Sequence, residues 1–206
     1  MARYRESVCK LCRNEGKKLF LKGSKCLSAK CPQAKRPYGS GQHGQSRKKL
    51  SEYALHLREK QKVRFSYLVS EKQFSRFFQL AARKKGVTGT ILLQMLESRL
   101  DSVIYAAGLT AGRKQSRQLI RHRHFLVNGR LVDIPSFRIK PGDEISVKAA
   151  SMDTVKALIE TMPESPEVRW LSVDKGNLKI KVNALPEREE LDPTIKEQLI
   201  VEYYSK

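Results

Sequence analysis

Between residues 50 and 110 the apolar positions recur every three to four residues, the period of a helix with one buried face. Tyr53, Leu57 and Gln61 share a stripe with Ala54 and Leu55 beside it, and Ser51 stands where an N-cap belongs, so the spacing predicts a helix over 51–67. Phe74, Phe77, Phe78 and Ala81 form a second stripe. It follows Ser70-Glu71-Lys72-Gln73, which has the form of a capping box, and Gly86 is expected to end that helix. A third helix is predicted over 90–107 from Leu92, Met95, Leu96, Leu100, Val103, Ile104 and Ala107. After the turn Thr110-Ala111-Gly112 a fourth runs over 113–122, with Ser116, Leu119 and Ile120 facing inward.

The period then changes to two. Phe125-Leu126-Val127 and Arg130-Leu131-Val132 flank Asn128-Gly129, the strongest short hairpin signal, and Ile145-Ser146-Val147 follows a turn at Pro141-Gly142-Asp143-Glu144. Beyond it, 151–162 reads as a helix with Val155, Leu158 and Ile159 inward. Residues 169–173 and 178–182 read as paired strands, and a short element after Asp192-Pro193 ends at Tyr204.

Residues 1–49 show neither period. They hold all four cysteines, Cys9, Cys12, Cys26 and Cys31, in the pattern C-x2-C-x13-C-x4-C. Two such pairs complete a closed tetrahedral site, the usual arrangement of structural zinc, although four thiolates also hold iron–sulfur clusters. Nearby Lys10, Arg13, Lys25 and Lys30 favour thiolate over thiol. The stretch Arg36 to Lys49 is Gly-rich, basic and nearly free of apolar residues, so it cannot fold by burial and is expected to be an arm ordered by its partner. It is no phosphate loop, because no G-K-[ST] follows.

Charge names that partner. The chain of 206 residues carries a formal net charge of +20. Residues 1–49 hold 14 basic and 2 acidic side chains, 50–150 hold 19 and 8, and 151–206 hold 8 and 11. Such an excess calls for a polyphosphate or an anionic membrane. No stretch is long and apolar enough to span a bilayer, and Met1-Ala2-Arg3-Tyr4-Arg5 runs into charge too soon for a signal peptide. Nucleic acid is therefore the expected partner, met by the first three quarters of the chain. On the predicted helix 113–122, Arg113, Arg117 and Arg121 fall at i, i+4 and i+8 with Lys114 beside them, and no Asp or Glu occurs from 102 to 132. That stripe, with the Asn128-Gly129 tip, is expected to clamp a bent RNA backbone through phosphates and shape. Reversing Arg117 is expected to weaken RNA binding and spare the fold.

The segment 97–148 resembles the RNA-binding module named after the fourth protein of the small ribosomal subunit, here called S-four. The marks are Leu96–Val103 (L-[ED]-x-R-L-D-x-[VI]), Ser116–His122 (S-R-Q-L-I-R-H) and Val127–Val132 (V-N-G-R-x-V). The same module occurs in pseudouridine synthases, tRNA synthetases and rescue factors. The rest of the chain resembles the bacterial S-four family in its cysteine-bearing form: Met1-Ala2-Arg3-Tyr4, Pro37-Tyr38-Gly39, Gly41-Gln42-His43-Gly44, Leu57 to Lys62, Lys85 to Gly89 and Glu202 to Lys206. The resemblance implies a structural constituent of the small subunit in the bacterial cytoplasm, monomeric within the ribosome. Such a protein binds a junction in ribosomal RNA early, nucleates assembly of the subunit body and influences translational accuracy. It also implies contact with the neighbouring S-five protein and a basic flank, Arg47, Lys48 and Lys49, on the mRNA entry channel.

Pattern and resemblance together predict an α+β fold. A mostly helical body (50–96 and 151–206) carries an inserted module (97–150) of two helices and a small antiparallel sheet, behind a four-cysteine knuckle and basic arm (1–49). The RNA-facing residues are expected to be Arg3, Arg13, Arg36, Tyr38, His43, Arg47, Lys48, Lys49, Arg58, Lys60, Lys62 and Arg64 in the first part. In the module they are Arg99, Arg113, Lys114, Arg117, Arg121, His122, Asn128 and Arg130. Catalysis is not expected: there is no nucleophile motif, no paired carboxylates in a Gly-rich setting and no nucleotide loop. A DNA-binding zinc protein is disfavoured by the hairpin after the helix pair and by the lack of a dimer-forming segment.

Overall fold

The computed structural model describes residues 4, 6–46, 49–162 and 168–205. The chain forms two compact units, Met1–Leu92 with Asp192–Lys206, and Leu93–Leu191. In the first, α1 (Val8–Glu15) ends on Gly16, whose left-handed backbone (φ 68°) turns its N–H onto the Arg13 carbonyl. Val8, Leu11 and Cys12 of α1 pack with Leu19 and Leu21, closed over by Tyr4, Phe65 and Leu68. Two single-turn helices follow, α2 (Ser24–Leu27) and α3 (Pro32–Lys35), the latter with Pro32 at its first position.

Helix α4 (Glu52–Ser66) is capped by Ser51, whose hydroxyl accepts from the Ala54 N–H at 3.3 Å. Ser70 caps α5 (Glu71–Ala82) in the same way through Gln73 N–H at 3.4 Å. Helix α5 ends at Ala82, earlier than Gly86 suggested. Helix α6 (Thr88–Glu97) then carries the chain into the second unit.

The continuous helix predicted over 90–107 is interrupted. Ser98 and Arg99 leave the helical path and pair with the 137–139 strand-like segment: Leu100 N–H meets Phe137 O at 2.9 Å, Ile139 N–H meets Ser98 O at 2.8 Å, and Arg99 bridges Arg138. Helix α7 (Leu100–Ala106) restarts with Arg99 at its N-cap (ψ 141°). The apolar period runs through the break because both helices bury the same kind of face. Helix α8 (Arg113–Arg121) follows.

Strands β1 (Phe125–Val127) and β2 (Arg130–Leu131) form the hairpin, with Asn128 (φ 49°) and Gly129 (φ 75°) both in the left-handed region that its two-residue turn requires. Strand β3 (Glu144–Val147) pairs β1, α9 (Met152–Glu160) follows, and β4 (Leu171–Asp174) pairs β5 (Lys179–Val182). All five join one antiparallel sheet in the order β2-β1-β3-β5-β4. Ile145 faces Ile180 across the β3–β5 seam, both fully buried, and on the other side Lys179 Nζ meets Glu144 Oε1 at 3.1 Å. The core joins Val103, Ile104, Ile120, Phe125, Ile145, Val155, Trp170, Leu178 and Ile180. At about 1.5–3 kcal/mol for each large apolar side chain buried, it is the chief source of this unit's stability.

Grouping 151–206 as a whole with the helical body therefore misplaced its first part. Residues 151–191 fold with the sheet, and only the last segment returns to the first unit. That segment is α10 (Glu197–Ser205), which packs along α4; its Tyr204 ring stacks on Phe78 with centroids 4.4 Å apart. Gly89 lets Glu197 approach, since a β-carbon there would lie 2.5 Å from Glu197 Cγ.

Candidate nucleic-acid interface

Helix α8 opens with Arg113 and Lys114 and has no acidic residue in its first turn. Cations at the positive end of a helix are disfavoured by its dipole, so something must offset them. Glu97 does so: its Oε1 accepts from Arg113 Nη2 at 2.9 Å, while Arg113 Nε reaches Ser102 Oγ at 3.3 Å and the guanidinium lies 4.7 Å from the Tyr105 ring centroid. One turn on, Arg117 Nε donates to Asp101 Oδ2 at 2.5 Å. The same carboxylate receives Arg99 through Nε and Nη2 at 2.9 and 2.8 Å, and both Arg99 and Asp101 are fully buried. Burial draws the Arg117 guanidinium below its ordinary pKa, against the pull of Asp101.

This corrects the expected stripe. Arg99 is wholly interior, and the Arg113 and Arg117 side chains are 14% and 15% exposed, held by acids that precede the acid-free stretch in sequence. Two carboxylates among three guanidiniums leave the cluster one positive charge in excess. The outward face of α8 is instead Lys114, Gln118 and Arg121, at i, i+4 and i+7; Lys114 is half-buried, and the other two are exposed, as is His122 just beyond the helix.

At the hairpin tip, Asn128 uses its amide internally. Nδ2 donates to Asp143 Oδ1 at 2.8 Å, and Oδ1 accepts from Glu144 N–H at 2.9 Å. Asn128 thus shapes the turn, and Arg130 beside it is the exposed cation. Arg138, Lys140 and Lys148 are exposed too and went unnamed in the sequence reading, as did Arg123, which pairs Asp133 at 3.3 Å. Isolated cations on loops have no periodic signature. Glu97 and Asp101 were visible inside the L-[ED]-x-R-L-D mark, but nothing there shows which arginines they meet.

In the other unit, Lys60 and Lys62 are buried, contrary to an RNA-facing role. Lys60 Nζ meets Glu71 Oε1 at 2.7 Å and sits 4.7 Å from the Tyr203 ring centroid. Lys62 Nζ meets Glu59 Oε1 at 2.8 Å and donates to the Thr194 carbonyl. Arg64 is mostly covered, donating to Gln61 Oε1 at 2.7 Å and packing over Phe65. Burial, and then Glu71 beside it, hold the Tyr204 phenol above its ordinary pKa.

The Gly-rich arm is also more ordered than its composition suggested. Arg13 donates to the carbonyls of Tyr38 and Gly39, each at 3.0 Å, and lies over the Tyr38 ring; Asn14 Oδ1 receives Ser40 N–H and Oγ, each at 2.9 Å. Gly39 N–H bonds to Gly44 O, and a β-carbon on Gly44 would lie 2.1 Å from Gly39 O, so only glycine closes this loop. Arg13 is thereby a clamp, whereas Arg36, His43, Lys49 and Arg58 are exposed and Tyr38 is half-buried. Arg3, Arg47 and Lys48 lie outside the described residues.

Cys9 and Cys12 stand on α1, Cys26 on α2, and Cys31 at the N-cap of α3; none forms a disulfide, and all but Cys9 are buried. Lys22 N–H points at Cys26 Sγ at 3.4 Å, and Leu19 N–H serves Cys12 likewise. Burial first, then the other cysteines, push the Cys12 and Cys26 thiols up. Among the described residues no three His, Cys, Asp or Glu side chains stand at metal-holding geometry. No helix among them is long and apolar enough to cross a membrane.

Comparison with known proteins accounts for the whole chain. Residues 3–97 match the family Ribosomal protein S4/S9 N-terminal domain, and residues 98–145 match the S4 domain. The chain is 55% identical to small ribosomal subunit protein uS4 of Ruminiclostridium cellulolyticum, 54% to that of Acidothermus cellulolyticus and 50% to that of Thermus thermophilus, each match covering all of both chains. With an RNA-binding type of module, outward cations on α8 and relatives that align from end to end, the chain belongs to the uS4 family of small ribosomal subunit proteins.

Proposed function

We propose that this chain is a structural constituent of the small ribosomal subunit in the bacterial cytoplasm, binding folded ribosomal RNA, nucleating assembly of the subunit body and influencing translational accuracy. It is not an enzyme, in keeping with its family. The observation that carries the reading is the division of labour on α8: Arg113 and Arg117 are paired inward with Glu97 and Asp101, while Lys114, Arg121 and His122 lie on the outward side. Phosphate contacts of this kind release counterions, so affinity for structured RNA should fall steeply with salt. In full-length protein, Lys114→Glu with Arg121→Glu is expected to weaken binding to deproteinised small-subunit RNA at least tenfold, as measured by filter binding, with the melting temperature unchanged. Equal affinity for duplex DNA at the same salt would defeat the RNA reading.

Cys9, Cys12, Cys26 and Cys31 would be the residues to hold one structural metal, zinc or an iron–sulfur cluster, once their side chains turn to a common centre. The donor set supports this: four free thiols lie in one small unit, and backbone N–H groups already serve two of the sulfurs. The metal would supply folding energy and no open coordination position. Cys12→Ser is expected to release the metal and loosen residues 1–45, read by atomic absorption and limited proteolysis; visible absorbance would separate a cluster from zinc. Family membership also supports contact with the neighbouring S-five protein and a flank on the mRNA entry channel, where Lys49 is exposed.

A further inference from the structure

Among the described residues, the second unit exposes four large apolar side chains, and three of them fall within seven residues: Leu131, Ile134 and Phe137, at 44%, 54% and 38%. They lie on the connection from β2 back to the N-terminus of α7. This connection is not slack. Phe137 N–H bonds to Ile134 O at 3.0 Å, the Phe137 carbonyl accepts from Leu100 N–H at 2.9 Å, and Pro135 O accepts from Asp101 N–H at 3.2 Å. The segment is thus anchored to the helix turn that holds the Arg99–Asp101–Arg117 cluster. Cations outnumber acids around it: Arg130, Arg138 and Lys140 are all exposed, and the segment's one carboxylate, Asp133, is paired with Arg123.

Exposed apolar side chains on a backbone fixed to the first turn of α7, with cations beside them, match one chemistry well. An unstacked nucleotide offers an aromatic face to the apolar side chains and a phosphate to the cations. A protein partner would need an acidic face to meet that charge, whereas every unpaired nucleotide carries its own phosphate. We infer that the 131–138 ledge is a stacking platform on which Phe137 receives one unpaired base of the bound RNA, with Arg138 and Lys140 on its phosphates. The inference rests on the RNA-binding reading above and adds to it a contact that is not electrostatic. Stacking does not release counterions, so its loss changes affinity without changing the salt slope.

The test is equilibrium binding of full-length protein to deproteinised small-subunit RNA over a salt series. Phe137→Ala is expected to weaken binding at least about fivefold, as loss of one stacked base does, with an unaltered log–log slope. Phe137→Trp should restore affinity, and its new tryptophan should be quenched by RNA. Leu185→Ala, at an exposed apolar site elsewhere in the unit, should have no effect. Should Phe137→Ala fail to fold, Ile134→Ser decides in its place. Affinity within twofold of wild type for the folded variants overturns the platform. So does normal RNA affinity combined with failure to take up a neighbouring protein during subunit reconstitution, which would make the ledge a protein site. If Lys114→Glu with Arg121→Glu is also silent, the RNA-binding reading falls; if that pair weakens binding while Phe137→Ala does not, only the platform falls.

Discussion

Asp101 receives two arginines on one carboxylate, and the consequences differ from those expected of a surface stripe. Replacing Arg117 by Glu puts a second carboxylate beside a buried one and removes one of its two partners, leaving Arg99 alone to hold both. Breaking a buried pair in this way costs about 3–5 kcal/mol, so Arg117→Glu is expected to lower the urea unfolding midpoint sharply, before any question of RNA arises. Lys114, whose side chain is turned outward, should tolerate reversal. The arginine-rich character of α8 was legible in the sequence because it is local. Its inward turn was not, because Asp101 lies 16 residues before Arg117, on another helix and across a turn. Lys60 and Lys62 misled for a related reason. Their neighbours in sequence suggest a solvated helix face, yet Glu71, Tyr203 and Thr194 from elsewhere in the same unit enclose them.

Single elements followed their local signals closely where those signals were self-contained. Ser51 and Ser70 cap the helices they precede, and Asn128-Gly129 makes the hairpin it announces. The exceptions are places where distant backbone intervenes, as Phe137 and Ile139 do at Ser98–Leu100. Helix α1 offers a test at this scale. Its last residue is Glu15, an acid at the negative end of the helix, and burial raises its carboxyl pKa, with Arg58 opposing. A raised folded-state pKa means that the ionised form is penalised in the fold. The penalty is absent at pH below the ordinary 4.5 and complete above the folded value. Glu15→Gln is therefore expected to raise the melting temperature at pH 7, by an amount corresponding to about 0.3–1 kcal/mol, and to confer nothing below pH 4.5.

At the scale of the chain, alternation in 169–182 disclosed two strands but not their neighbour. The β3–β5 seam pairs Ile145 with Ile180, and a period of two carries no information about which strand lies alongside. Trp170, the single tryptophan, is buried in that unit's core and reports on it alone. A chain ending at Leu191 keeps the whole sheet but loses α10, and with it the rings over Lys60 and the carbonyl that receives Lys62. Such a truncation is expected to retain the native tryptophan emission and its cooperative loss in urea, while α4 and α5 lose protection from amide exchange. Residues 192–206 complete the unit begun by 1–92, and that imposes an order in time. A nascent polypeptide leaving the exit tunnel can complete residues 93–191 while its first 92 still await their final helix. The segment 192–206 therefore acts as a latch, and termination before it yields a molecule with a finished middle and an unfinished beginning.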